Sequence, residues 1–227
     1  MHYDIKKKLN KVDSNKYRNL LIPELDWTLN EAAELYVKII AQPRRYSHLG
    51  FELNQRSIDD IRTLITTEEI AVVDNVAALP DDYWFYTSGE VDMTKGSCTN
   101  IKGKVYIRQH DDEFEKSPFD KSSFEWREVN ATFDENGIVF YTDETFTIST
   151  FYLTYVKRIP YICNAEAFGV SGYELPSGEV LATNQDCILP EQTHREICDI
   201  AVLLLTGELQ EQLYQVKQDK VVFNNLK

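Results

Sequence analysis

Catalytic signatures are missing from this chain. Its 227 residues contain no G-x-S-x-G elbow, no H-E-x-x-H, no G-x-x-x-x-G-K-[ST] and no G-x-G-x-x-G after a strand-like run. That excludes the usual settings of an activated serine, a zinc-bound water and a phosphate cradle. No apolar run reaches the roughly 18 residues a membrane-spanning helix needs, and the opening "MHYDIKKKLNKVD" lacks the apolar region of a secretory signal. A protein made and kept in a cytoplasm is expected. Glycine (9) and proline (7) are scarce, which argues against a repetitive fibre. Basic residues are outnumbered, 24 Lys and Arg against 37 Asp and Glu, for a net charge of −13. Tight general binding to nucleic acid or to an anionic membrane is therefore not expected, because neither polyanion would release counterions to such a surface. The same charge would keep DNA from sticking to a channel wall.

Cysteine is also sparse. The four stand at 98, 163, 187 and 198 without a CxxC pair, the usage of free, buried thiols in a reducing compartment. Cys163, Cys187, His194 and Cys198 are the set to weigh for zinc, since His194 and Cys198 share a helix face at i, i+4. Structural zinc sites, however, take their ligands as close pairs on tight knuckles, so no metal is expected.

What the chain has is apolar and aromatic bulk: 43% hydrophobic residues, with 13 Tyr, 11 Phe and 3 Trp. This is a globular composition with enough length for a sizeable core. The amino-terminal third reads as helical. "LNEAAELYVKIIAQ" follows Thr28, which with Glu31 has capping-box spacing, and Ala32, Leu35, Tyr36, Ile39 and Ile40 recur on one face up to Pro43. A second helix is predicted from Ser57 through Ile58, Ile61, Leu64 and Ile65, and "YDIKKKLNKVD" suits a short, mostly solvated one.

From about residue 70 the apolar period falls to two. "EIAVVDNVAAL", "YWFYTSGEVD", "KVYIRQH" and "SFEWREVNATF" read as strands, with Phe124, Trp126 and Val129 sharing a face; "DENG" turns the chain into "IVFYT". In "TFTISTFYLTYVKRIP", Phe151, Leu153 and Tyr155 fall on one face and Tyr152, Thr154 and Val156 on the other, so this strand is expected to be central, with Lys157 and Arg158 at its rim before Pro160. Short strands follow around "YELPSGEVLAT" and "DCIL". Pro190 and Glu191 then open a long helix whose stripe is Ile197, Ile200, Ala201, Leu204 and Leu205, with Gly207 a candidate kink and "VVF" at 221–223 a candidate edge strand. The expected fold is α+β: a central antiparallel sheet or sandwich between an amino-terminal helical region and a long carboxy-terminal helix. A single domain 1–227 is expected, divided as 1–69 helical, 70–188 β core, 190–218 helix and 219–227 tail.

Two clusters invite chemistry. "RQHDDEFE" at 108–115 places His110 among carboxylates, but without the alternating D-x-D-x-D-G of a calcium loop it reads as a solvated loop. The "YWFY" aromatics with Trp84 could stack a sugar or base, although aromatics at strand spacing are more often core. "FGVSGYELPSG" around Ser171 reads as a turn. No catalytic residue and no cofactor is expected.

Taken in order, "LIPELDWTLNEAAELYV", "FELNQRSIDDIRTLI", "ALPDDYWFY", "YIRQHDDEFEKSPF", "LTYVKRIP" and "LPEQTHREICDIAVLLL" resemble neck proteins of tailed phages of Bacteroidetes, including the crAss-like phages, over roughly residues 20 to 205. These are head–tail connectors, ring-forming adaptors that stack on the portal and join capsid to tail. The resemblance implies a non-enzymatic virion protein assembled in the host cytoplasm. It also implies a cyclic homo-oligomer, a dodecamer where it matches the portal, with the portal and other neck and tail rings as partners and genomic DNA passing without specific binding or any membrane. Lys157 and Arg158 are the candidate interface residues, set against a neighbour's acids. The alternative from another class is a small-ligand or glycan-binding β module using the aromatic strands and the loop at His110.

Overall fold

The computed structural model describes residues 1–10, 20–41, 58–109, 121–169 and 172–209, and among these described residues are nine strands, seven of them in one sheet, and three main helices. The chain divides into two compact units: residues 65–158, which form the sheet, and residues 1–64 with 159–227, which gather the helices. The fold is α+β, as the change of period predicts.

The sheet unit contains β1 (Ile65–Ala71), β2 (Val76–Ala77), β3 (Tyr83–Lys95), β4 (Cys98–Ile107), β5 (Glu128–Asp134), β6 (Gly137–Tyr141) and β7 (Thr147–Lys157). Their order is β1-β7-β3-β4-β5-β6-β2. All pairs are antiparallel except β4 with β5, which run parallel. The sheet is therefore mixed where an antiparallel one was expected, because β4 and β5, which lie about twenty residues apart in the chain, are not joined by the tight turn that makes hairpin neighbours antiparallel. The two ends of this order are joined. Val72 N donates to Ser149 O on β7 at 3.1 Å, Val73 bridges to Val76, and β2 pairs with β6. The sheet thus nearly closes into a barrel, which hides its edges from other chains.

The turn that closes it is Asp74–Asn75, both at positive φ (51° and 63°), the geometry whose twist suits a two-residue hairpin. "EIAVVDNVAAL" is accordingly two strands and a turn where one strand was expected. Gly137 is fixed by the same closure: it sits at φ 133°, and a Cβ there would lie 2.1 Å from Ala77 O. Only glycine admits that approach. Inside the unit, Val91, Met93, Val105, Val129, Ala131, Ile138, Phe140, Phe151, Leu153 and Tyr155 form one apolar core, with Phe140 edge-on to Phe151 at 5.1 Å between ring centres. The strand β7 is central, as its two-sided bulk predicts: it pairs with β1 on one side and β3 on the other.

In the helical unit, α1 (His2–Asn10) buries Ile5 and Leu9 and packs against α3 (His194–Leu209). The helix α2 (Ile22–Ala41) also packs on α3, and it buries Leu25, Leu29, Ala32, Ala33, Tyr36 and Val37. It begins six residues before Thr28. That residue is no cap but an interior one, whose hydroxyl donates to Glu24 O at 2.8 Å, while Glu24 reaches back to accept from Leu21 N at 3.0 Å. The buried stripe is shifted accordingly, and Ile39 is exposed. Helical structure at 58–61 passes through a 3₁₀ turn (Arg62–Leu64) straight into β1, so Ile65 belongs to the sheet. Helix α3 continues through Gly207 to Leu209. Ahead of it lie β8 (Tyr173–Glu174) and β9 (Val180–Leu181), a two-stranded ribbon. "DCIL" is not a strand; its neighbour Gln185 makes a single bridge with Cys163. The predicted cap Ser57, the predicted helix stop Pro43, the segment 210–227 with "VVF", and Ser171 lie outside the described residues. Among the described residues no helix is long and apolar enough to cross a membrane.

Candidate functional site

A buried carboxylate organises the helical unit. Asp26 on α2 has no exposed surface. Its Oδ1 lies 2.6 Å from His2 Nε2 on α1, while its Oδ2 accepts from Asn164 N at 3.0 Å and from the Tyr173 hydroxyl at 2.7 Å. One turn later Asn30 fits the same strap of chain with both ends of its amide: Nδ2 donates to Ile162 O at 2.7 Å and Oδ1 accepts from Ile162 N at 2.8 Å. The four-residue spacing puts both side chains over one helix face. Burial pushes the Tyr173 phenol up from its ordinary range, and the Asp26 carboxylate adds to this. A buried carboxylate this fully partnered holds elements in register, and the arrangement reads as structural.

A second polar cluster is open. Tyr36, Asp59, Asp60, Gln192, Thr193 and Glu196 line a cleft of about 300 Å³. Gln192 Nε2 donates to Asp60 Oδ1 at 2.9 Å, and Arg62 pairs with Asp59 at 2.9 Å. Burial, then Glu196 and Asp60, push the Tyr36 hydroxyl strongly up, so it stays a neutral donor. The sequence reading missed this cleft because no local pattern brings Asp59 and Asp60 to Gln192 and Glu196, more than 130 residues further along the chain.

The predicted interface residues are at the rim. Lys157 ends β7 opposite Tyr83 and is half-buried; Arg158 is exposed, and its backbone N donates to Asp82 O at 2.7 Å. Among the described residues neither side chain reaches an acid within ion-pair distance. Beneath them the Tyr155 hydroxyl, fully buried, donates to Asp82 Oδ1 at 2.7 Å.

The "YWFY" aromatics divide. Register shifts between Tyr83 and Phe85 and between Tyr86 and Ser88 turn Tyr83 and Tyr86 onto the same core despite their spacing of three. Burial, and then the neighbouring Tyr83, push the Tyr86 phenol up to about 12. Trp84 is half-buried and stacks on Phe85 at 4.8 Å. The zinc set is not brought together: Cys163 Sγ donates to Thr183 O at 3.2 Å, Cys198 Sγ faces Met1 O at 3.8 Å, and His194 Nε2 meets Leu189 O at 3.0 Å. Among the described residues no group of three His, Cys, Asp or Glu side chains is placed to hold a metal. His110 and the acids after it lie outside the described residues.

Phe124, Trp126 and Val129 do not share a strand face. Residues 124–127 form a turn with Arg127 at φ 57°, which leaves Val129 in the core and Trp126 at 80% exposure. No protein-family model matches this chain, and a search of curated proteins finds no match.

Proposed function

We propose that this chain is a ring-forming structural protein of a tailed-phage neck, an adaptor that joins the portal and capsid to the tail and lets the genome pass. One observation carries the reading: both units leave large apolar side chains uncovered, among them Trp126 (80% exposed), Tyr3 (74%) and Trp27 (54%). Single exposed apolar residues are ordinary. Two of three tryptophans in that state are not, because tryptophan is the side chain most concentrated where partners bind. The order of motifs along the chain supports the neck class, and the charge of −13 suits a bore that genomic DNA traverses without adhering.

A ring needs two different patches on each copy that fit head to tail and close. Lys157 and Arg158, rim cations with no acidic partner among the described residues, are proposed to meet acids of a neighbouring copy. The portal and adjoining neck rings are the other partners, and the virion neck is the final location after assembly in the host cytoplasm. Negative-stain images and solution mass of the purified chain, alone and mixed with portal rings, test the reading: rings or portal-bound rings are expected. Lys157→Glu with Arg158→Glu is expected to reduce ring yield at least tenfold; rings at the wild-type yield would remove those two residues from the interface.

A further inference from the structure

The sequence contains one Asn-Gly pair, Asn136–Gly137, and it lies at the tip of the β5–β6 hairpin. Asparagine before glycine is the dipeptide most prone to cyclise, because glycine has no side chain to shield its backbone nitrogen from the neighbouring amide. Asn75 and Asn100, the described asparagines at positive φ, lack that opening. Val76 and Ile101 follow them, and β-branched side chains crowd the nitrogen.

The fold exposes one half of the pair and locks the other. Asn136 is exposed, whereas Gly137 is buried. Gly137 faces Asp134 as the last pair of the β5–β6 ladder, and β2 runs along its other side, with Ala77 opposite Ile138 and Val76 opposite Val139. A Cβ on Gly137 would lie 3.0 Å from Ala77 C and 3.1 Å from Ala78 Cα, so the backbone has no room to turn there. Cyclisation needs that turn, since the Gly137 nitrogen must leave its place in the ladder to reach Asn136 Cγ. The seam of β2 on β6, which closes the barrel, thus holds the reacting nitrogen.

We propose that Asn136–Gly137 is a self-modifying site governed by closure of the barrel: the shut seam blocks cyclisation, the open seam admits it, and the rearranged product no longer closes. The Gly137 nitrogen bonds to Asn136 Cγ and gives up its proton, the Cγ–Nδ2 bond breaks, and ammonia leaves a succinimide. Water then opens the ring at either carbonyl, giving aspartate or isoaspartate, with no oxidant or reductant involved. Aspartate keeps the backbone and adds an acid beside Asp134 and Glu135. Isoaspartate carries the main chain through Cβ and Cγ and lengthens it by a methylene. A register set by a two-residue turn has no slack for that atom, so Gly137 is displaced from Ala77.

The test is incubation of the full chain in warm, mildly alkaline buffer, followed by peptide mapping with mass spectrometry. Conversion at Asn136 is expected to be at least about tenfold slower in the folded chain than in the same chain held in denaturant, because only the open fraction reacts. Asn75→Val loosens the seam, since a β-branched residue is disfavoured at φ 63° and the Asn75 carbonyl accepts from Phe140 N at 2.8 Å. It is expected to speed conversion without denaturant about tenfold. A cooperative melt shows that this variant folds, and the wild-type rates with and without denaturant decide the matter even where it does not. The isolated isoaspartate form is expected to melt below wild type, and Asn136→Asp to melt with it, which separates the added backbone atom from the added charge. Equal conversion rates with and without denaturant would overturn the guarding role of the seam. An isoaspartate form that melts at the wild-type temperature would overturn its failure to close.

Discussion

The two units are held by opposite means. The sheet unit closes around a core in which Val91, Phe151, Leu153 and Tyr155 have no exposed surface and the contacts are between apolar side chains. The helical unit has its own apolar helix faces, but His2 of α1, Asn164 and Tyr173 meet on the one buried carboxylate of α2. Apolar packing is non-directional and tolerates exchange at constant volume, whereas a buried charge tolerates almost none. The sheet unit is thus a robust scaffold, and the helical unit a tuned one.

The largest effects come from removing each centre. Asp26→Ala strands three donors in the interior and is expected to cost about 3–5 kcal/mol. Phe151→Ala, which empties the space against Phe140, is expected to cost about the same. Denaturant unfolding reads both. Gentler changes separate the units. Leu153→Met should cost less than about 1.5 kcal/mol, since volume and polarity are nearly kept. Asp26→Asn is equally conservative in size, yet both carboxylate oxygens accept hydrogen bonds, and an amide must turn a donor towards one of them. A loss of about 2–4 kcal/mol is expected. Equal tolerance at the two positions would erase the distinction.

A smaller effect depends on pH. Tyr86 has its folded pKa raised to about 12 from an ordinary 10.0 by burial and then by Tyr83. A phenol raised in this way contributes stability that is whole below pH 10 and is lost as pH rises through 10 towards 12. Melting temperature should therefore fall over that window, and Tyr86→Phe should fall less steeply. The smallest effect is at Trp126. At 80% exposure its change to Ala should move folding stability by no more than about 0.5 kcal/mol, read by the same unfolding curves.

Much of the scaffold was legible in the sequence. The period of two, the "DENG" turn and the two-sided bulk of 151–156 located the hairpin of β5 with β6 and the central β7, because local geometry alone sets those signals. Closure was not legible. It depends on Asp74 and Asn75 both taking positive φ and on Gly137 lying against Ala77, an encounter between residues sixty apart. The start of β1 was hidden by "TTEE", whose polar side chains lack an apolar alternation. Thr28 looked like a cap because its spacing to Glu31 is right, but Pro23 and Glu24 had already begun the helix. The Asp26 hub joins residues 2, 26, 164 and 173, and no local pattern announces it. Of the surface proposed to adhere, the sequence placed Lys157 and Arg158 at a rim, but it assigned Trp126 to a strand face, since "SFEWREV" alternates well enough to hide a turn.

Adhesion among copies is the central claim, and native mass spectrometry of the intact wild-type chain, alone and with portal rings, measures it most directly. The account predicts a single closed species at an integer multiple of the chain mass, lost in Trp126→Ala. Monomer in both samples would contradict it.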